Sequence, residues 1–402
     1  MRIPFTNIEI KRRDASPTNP FYNFSHGFGF DSNNVDVDSV SGIAAWWRAS
    51  QILSNIIAGL PKHLVKYVDE DRETVYGTPA VELITNMANK NMDSYSWHDY
   101  MMQSVINYGN AYSLIARDQN ATPRSLTTVH PDRVSVHVYD NAIVYHVNRK
   151  GQEPLKVLYD DMYHIKGLSH NGYVGMNPIQ AHAVSLGATI SAQNYGKNSF
   201  DKGFLSAGYL KLEGRLDANV KKTIRENWSK TVLGTNNMET PILDVGQEYV
   251  PLKMSMQDAQ YIENRRFQKL EIATILGVPP DLIGETGEIK YNTIEHSGTK
   301  FVQYTIMSYV HKFEIENKKL LREAQKSNHK WKYNVNGLMR GDMAARSDFY
   351  AKMIQNSVLK PSEVRSLEDM TGGIDDYLIS TNNQVPYSKL DEVLNNNNNE
   401  GI

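Results

Sequence analysis

One stretch of the chain carries residues in a pattern capable of chemistry. Pro280-Asp281 is followed by Glu288-Ile289-Lys290, a proline-aspartate and then a glutamate-x-lysine. In a metal-dependent nuclease, two such carboxylates hold Mg²⁺ and the lysine helps to activate water. That chemistry needs its residues on paired strands. Here the intervening Gly284-Glu285-Thr286-Gly287 is turn-like, and six intervening residues are fewer than the pattern normally uses. A loop of balanced charge accounts for the same residues, and the nuclease stays open at this point as an alternative resting on Asp281, Glu288 and Lys290.

Other chemistries have less to stand on. Gly284 to Lys290 has glycines and a lysine, but not the G-x-x-x-x-G-K-[ST] order that cradles phosphate. Neither HExxH nor G-x-S-x-G occurs. His130 and His164 have no second histidine or carboxylate at ligand spacing, and both read as structural. The chain has no cysteine, which excludes disulfides, thiolate metal sites and cysteine catalysis. No catalytic residue, metal or cofactor is therefore expected. The 43 basic and 45 acidic side chains leave a net charge of -2, whereas a protein that grips nucleic acid tightly shows a basic excess. The first residues, MRIPFTNIEIKRRD, lack the apolar core of a secretory signal. The most apolar window, Ile43 to Leu60, is interrupted by Arg48, Ser50, Gln51, Ser54 and Asn55, so no membrane span is expected.

The elements around these residues read as α+β. Residues 1–40 are polar and predict a mobile arm, and the run Asn395 to Asn399 predicts a disordered tail over 381–402. Residues 41–176 predict a helix over 42–59 stopped by Gly59 and Pro61, a strand at His63 to Val68, and helices near 79–88 and 96–108. After Gly109 come short strands at 111–117, 134–139, 143–147 and 161–166, as one meandering sheet with helices on one side.

Two rods follow. Asn177-Pro178 is a capping side chain followed by proline at the first helical position. Ile179, Ala183, Leu186 and Ile190 continue at helical spacing toward Asp201. Some ~24 residues at ~1.5 Å rise make a rod of roughly 36 Å. The second rod starts at Ser255, with Ser255 and Asp258 as a capping box, and ends at Gly277 before Pro279. Between them, 204–254 reads strand, helix, strand, with Lys221, Lys222 and Arg225 off the apolar stripe of Val220, Ile224 and Trp228. So small an insert buries little surface alone, and rods carrying it point to packing against copies of the same chain. A loop over 279–292, a long helix over 293–325, a strand over 330–335 and helices near 341–357 and 361–370 complete the chain.

Several stretches together resemble the portal proteins of tailed bacteriophages, of the HK97 type. They include Gly109-Asn110-Ala111-Tyr112, Pro131-Asp132-Arg133-Val134, Met162-Tyr163-His164-Ile165, Gly175-Met176-Asn177-Pro178-Ile179 and Phe200-Asp201-Lys202-Gly203. Further on are Asp258-Ala259-Gln260-Tyr261-Ile262-Glu263 with Arg265-Arg266, Gly277-Val278-Pro279-Pro280-Asp281-Leu282-Ile283-Gly284, Tyr291-Asn292, Leu338-Met339-Arg340-Gly341-Asp342 and Glu363-Val364-Arg365. The resemblance spans roughly 41–372, and it is the order and spacing of the motifs that is specific. Met176-Asn177 departs from the small residue and serine the family often carries there, and asparagine caps a helix as well as serine does.

The resemblance implies a portal-like fold and a homo-dodecameric ring at one capsid vertex of a virion, assembled in a bacterial cytoplasm, through which double-stranded DNA is packaged, retained and ejected. Regions 41–176 and 293–340 would form the wing, 177–203 and 255–278 the stem, 204–254 the clip and 341–380 the crown. The loop 279–292 would enter the channel, with Leu282, Ile283, Glu285, Glu288, Ile289 and Lys290 facing DNA. Lys221, Lys222, Arg225 and Lys230 of the clip would face the motor, the neck or DNA. Lys197, Lys202, Glu263, Arg266 and Lys269 of the stem would face the channel or a neighbouring subunit. The implied partners are the terminase large subunit, which would supply the ATPase, then a head-tail adaptor, and the major capsid and scaffolding proteins. A scaffolding or adaptor oligomer without DNA passage is the remaining alternative.

Overall fold

The computed structural model describes residues 35–68, 71–139, 142–201, 208–212, 222–224, 247–251, 257–285, 297–335, 338, 343–356, 358–367, 377–379 and 384–386. The chain divides into two compact units, Met1–Ile289 with Gln303–Tyr333, and Lys290–Val302 with Asn334–Ile402.

In the first unit a short helix α1 (Val37–Ser41) stands where the sequence reading puts the end of a mobile arm. Its start is a reciprocal cap: Asp36 Oδ1 accepts from Ser39 N at 2.8 Å, and Ser39 Oγ accepts from Asp36 N at 3.0 Å. Val40 is completely buried. Residues 1–34 lie outside the described residues. Helix α2 (Ala44–Gly59) packs on α4 (Ser94–Tyr108), and side-chain bonds join them, Gln103 Nε2 donating to Ser54 Oγ at 3.0 Å and Tyr95 OH to Asn55 Oδ1 at 3.2 Å. Trp46 Nε1 donates to Asn107 Oδ1 at 3.0 Å, so this indole is buried without losing its hydrogen bond.

The strands of the expected single meander fall instead into two antiparallel sheets of three strands, and a third such sheet forms around Lys62–Val68. The first in chain order places β1 (Lys62–Val68) between β2 (Asp71–Val75) and the distant β13 (His329–Tyr333), with Leu64 opposite buried Trp331. After α3 (Pro79–Thr85) a small pair, β3 (Met87–Asn89) and β4 (Met92–Asp93), leads into α4. The second sheet has β5 (Asn110–Arg117) between β6 (Pro123–Val129) and β10 (Met162–Lys166). The third is β7 (Val134–Tyr139), β8 (Ala142–Arg149) and β9 (Gln152–Leu158). Tyr112, Val129, Val136, Tyr145, Val147, Val157 and Met162 form a shared core between the second and third sheets. β6 and β9 are edge strands that carry Pro123 and Pro154, residues an edge tolerates because a proline cannot donate to the ladder.

The first rod is broken near its start. α5 (Pro178–Ala181) stops at His182, at φ -113° and ψ 23°, and α6 (Ala183–Asp201) continues. The Asn177 cap is as expected, with Oδ1 accepting from Ile179 N at 2.9 Å and Gln180 N at 3.2 Å. Of the insert, β11 (Gly208–Leu212) and β12 (Gln247–Pro251) pair antiparallel and 222–224 are helical. The second rod, α7 (Gln257–Leu276), packs against α2 and α6. The capping residue expected at Ser255 lies outside the described residues.

The helix expected over 293–325 is helical from 297, π-helical over Val302–Ile306 and α-helical in α8 (Met307–Glu316). It then tightens to a 3₁₀ turn, Asn317–Leu320, and the chain extends at Leu321. The early end has a cause: Asn317 is fully buried and bonded by two tyrosines, which fixes the chain there.

The second unit holds α9 (Met343–Gln355), α10 (Pro361–Leu367) and the pair β14 (Tyr377–Ile379) with β15 (Gln384–Pro386). Glu363 Oε2 accepts from Lys360 N at 2.9 Å at the start of α10. Because β15 is a paired strand, the expected disordered tail does not begin at 381, and 387–402 lie outside the described residues.

Candidate functional site

The base of the first rod is gripped by the second sheet. Gly109 ends α4 at φ 76°, and a Cβ there would lie 1.8 Å from Met176 O, so only glycine fits. Asn110 Oδ1 accepts from Gly175 N at 2.7 Å, while Nδ2 donates to Gly175 O at 2.8 Å. His164 Nε2 reaches the same Oδ1 at 3.1 Å and must donate; with the ring neutral, its Nδ1 accepts from Tyr145 OH at 3.2 Å. Burial first, then Lys166 and Lys319, hold the ring well below the usual histidine range.

A second network ties α8 to α4. His98 Nδ1 donates to Ser94 O at 2.7 Å and Nε2 accepts from Tyr333 OH at 2.9 Å. Tyr333 OH accepts in turn from Asn317 Nδ2 at 3.1 Å, and Asn317 Oδ1 accepts from Tyr163 OH at 2.8 Å. Burial, then the charge of Lys62, keeps His98 well below the usual range, and burial raises the Tyr333 and Tyr163 phenols. Edge-on rings pack around it, Trp97 to Tyr163 at 5.0 Å and Trp97 to His98 at 4.8 Å. Both histidines are satisfied core residues, as the sequence suggests for His164.

The third neighbourhood is the end of α7. Gly277 has φ 65°, and its carbonyl accepts from Thr305 Oγ1 at 2.8 Å. Pro280–Ile283 forms a 3₁₀ turn closed by Gly284 at φ 84°, and Glu285 N donates back to Pro280 O at 3.0 Å. This reversal sets Glu285 against α7. Its Oε1 lies 2.7 Å from Arg266 Nε and its Oε2 3.5 Å from Lys269 Nζ.

These positions sort the expected site residues. Arg266, Lys269 and Glu285 come together, so Glu285 turns toward the rod and is not a free group of the loop. Ile283 is buried and is withdrawn from the DNA-facing set, whereas Leu282 is exposed. Lys197 and Glu263 are exposed on α6 and α7, and Lys222 is exposed in the insert. Lys202, Lys221, Arg225, Lys230, Glu288, Ile289 and Lys290 lie outside the described residues. Asp281 sits on the 3₁₀ turn and not on a paired strand, which removes the scaffold that the nuclease pattern requires. No group of three or more metal-ligating side chains occurs among the described residues. No described helix is long and apolar enough to cross a membrane. Sequence reasoning quoted Gly109-Asn110 within a motif but gave Asn110 no junction role; an asparagine directly after the glycine that stops a helix was the available signal.

The model of the phage portal protein family matches residues 44–369. The chain belongs to that family. It is therefore a portal subunit, a structural component of a virion at the capsid vertex. It is 25% identical over 352 residues to the portal protein of Enterobacteria phage HK97, covering 86% of this chain and 82% of that one. A probable portal protein of Streptomyces phage phiC31 is 26% identical over 346 residues, covering 82% and 75%. The fold is that of an HK97-family phage portal protein from Corynebacterium diphtheriae in its crystal structure, with a TM-score of 0.56 at 14% identity over 77% of this chain and 98% of that one. A chain in the neck of a native gene transfer agent particle, computed with C12 symmetry, gives a TM-score of 0.54 at 19% identity over 83% and 92%.

Proposed function

We propose that this portal subunit assembles as a dodecamer whose central opening passes double-stranded DNA. In this reading α6 and α7 form the stem, 204–254 the clip, 41–176 and 293–340 the wing, 341–380 the crown and 279–292 the loop toward the channel. The clip would dock the terminase large subunit during packaging and a head-tail adaptor afterwards, and the ring would meet the major capsid and scaffolding proteins. The observation that carries the reading is on the rods. Val184 of α6 is 63% exposed and Phe267 of α7 is 64% exposed, large apolar side chains that one copy leaves in water. A ring of copies would cover them, and the C12 symmetry of the gene-transfer-agent neck supports twelve.

The experiment is native mass spectrometry with negative-stain top views. A closed ring with a duplex-wide hole is expected from the native chain, and Phe267→Glu is expected to shift it to smaller species. A ring too narrow for duplex, or a variant that assembles as the native chain does, would count against this assignment of the stem.

A further inference from the structure

We propose that Arg266 and Lys269 form a binding site for the phosphates of double-stranded DNA, which the chain keeps partly occupied with its own carboxylate, Glu285. The inference rests on the reading that α7 borders the channel.

The two cations stand three positions apart on α7 and therefore project from one side of the helix. Glu285 gives one oxygen to each, at 2.7 Å to Arg266 Nε and 3.5 Å to Lys269 Nζ, as a phosphate would give two of its oxygens. The exposures differ in a telling way. The Glu285 side chain is 16% exposed, against 56% for Arg266 and 41% for Lys269. The acid lies beneath and the cations keep their outer surfaces in water. The guanidinium, which meets Glu285 through Nε, is a planar fork of five N–H donors that suits two oxygens of a phosphate.

The carboxylate is placed by the backbone. Gly284 turns the chain at φ 84°, and Glu285 N donates to Pro280 O at 3.0 Å, so the acid is delivered to the pair by a folded turn. Exposed Glu263 lies one turn before Arg266, and Glu271 is half-buried two positions after Lys269. Phosphate affinity rises with each cation presented. Two cations with one fixed carboxylate offer the backbone a weak touch, where two alone would offer a grip. Repeated around a ring, that difference separates a wall along which DNA slides from one that holds it.

The test is Glu285→Gln in the full-length protein, probed with a short fluorescent duplex by anisotropy over a salt series. Tighter binding by at least about tenfold at low salt is expected, with a steeper salt dependence. Adding Arg266→Gln and Lys269→Gln should remove the gain. Unchanged affinity in Glu285→Gln, or a gain that survives loss of both cations, overturns the proposal. If Glu285→Gln does not fold, Glu285→Asp keeps the charge with a shorter reach and must give a smaller gain of the same sign; no gain overturns it. Native mass spectra of the same samples report assembly separately. Failure to form rings counts against the channel reading, while the anisotropy still decides whether the pair binds phosphate.

Discussion

Asn110 holds both backbone groups of Gly175, taking its N–H at 2.7 Å and giving to its carbonyl at 2.8 Å. One amide thus joins the second sheet to the residues that lead into Asn177 and the first rod. Asn110→Ala leaves that buried pair and His164 Nε2 without partners. A loss of about 2–4 kcal/mol in urea unfolding is expected, since each orphaned buried group costs about 1–3 kcal/mol and some will find water. A change below about 1 kcal/mol would mean the junction is held by packing alone.

Gly109 is the steric counterpart of that bond. Its φ of 76° disfavours any side chain, and a Cβ would meet Met176 O at 1.8 Å and Met176 C at 2.5 Å, both backbone atoms with no rotamer to give way. Gly109→Ala should cost at least about 3 kcal/mol, combining backbone strain with overpacking. Gly151 also has a positive φ, of 73°, but its Cβ would meet nothing, so Gly151→Ala should cost only the strain, about 1 kcal/mol. Comparing the two melting curves separates strain from collision.

The helices were largely legible because their ends are written locally. Asn177-Pro178 starts α5 and Gly109 stops α4 just where side-chain capping and the left-handed cap require. Helix α1 was not legible, because its capping partner at the third position is Ser39 and not the usual Glu or Gln. Strand β6 mixes Ser125, Thr127 and Thr128 into its pattern, and β9 contains Pro154, so both edge strands look like loop. The pairing of β1 with β13 joins residues at opposite ends of the sequence and leaves no local signal. In the candidate site, Arg266 and Lys269 were legible as stem charges. Their union with Glu285 was not, since it depends on two positive-φ glycines, Gly277 and Gly284, folding the chain back. The Leu282-Ile283-Gly284 order was the clue: a helical turn closed by glycine buries a side chain as readily as it exposes one.

Acid should weaken the fold through two histidines. His98 and His164 are buried and neutral, with pKa values held well below the ordinary one. The unfolded chain takes up their protons near pH 6.5 and the folded chain does not, so the unfolded state gains as pH falls. Stability is therefore full above about pH 6.5 and declines below it, by roughly 1.4 kcal/mol per pH unit for each histidine. His137 and His146, with ring centres 4.2 Å apart and lowered chiefly by burial, are partly exposed and add less. His164→Gln should reduce the slope between about pH 6.5 and 5 by one proton. An unchanged slope in urea unfolding at those pH values would remove His164 from the account.

The last prediction concerns the ion pair at the end of α8. Lys319 Nζ lies 2.7 Å from Glu316 Oε2, donates to Met162 O at 3.0 Å and stands 3.6 Å from the centre of the Tyr159 ring. Both side chains are buried, and burial lowers the lysine pKa in spite of the neighbouring carboxylate. Glu316 also accepts from His164 N at 3.3 Å, and Lys319 O accepts from Arg117 Nη2 at 2.7 Å, so the pair joins α8 to two strands. Glu316→Ala strands a buried ammonium and should cost about 3–5 kcal/mol. Lys319→Met strands the carboxylate and should cost a similar amount. Replacing both, with Glu316→Leu and Lys319→Met, removes the desolvation penalty together with the attraction, and should be more stable than either single variant. If the double variant instead loses the sum of the two singles, the charges act independently, and each side chain stabilises this corner through its own contacts, Glu316 with His164 N and Lys319 with Met162 O and the Tyr159 ring.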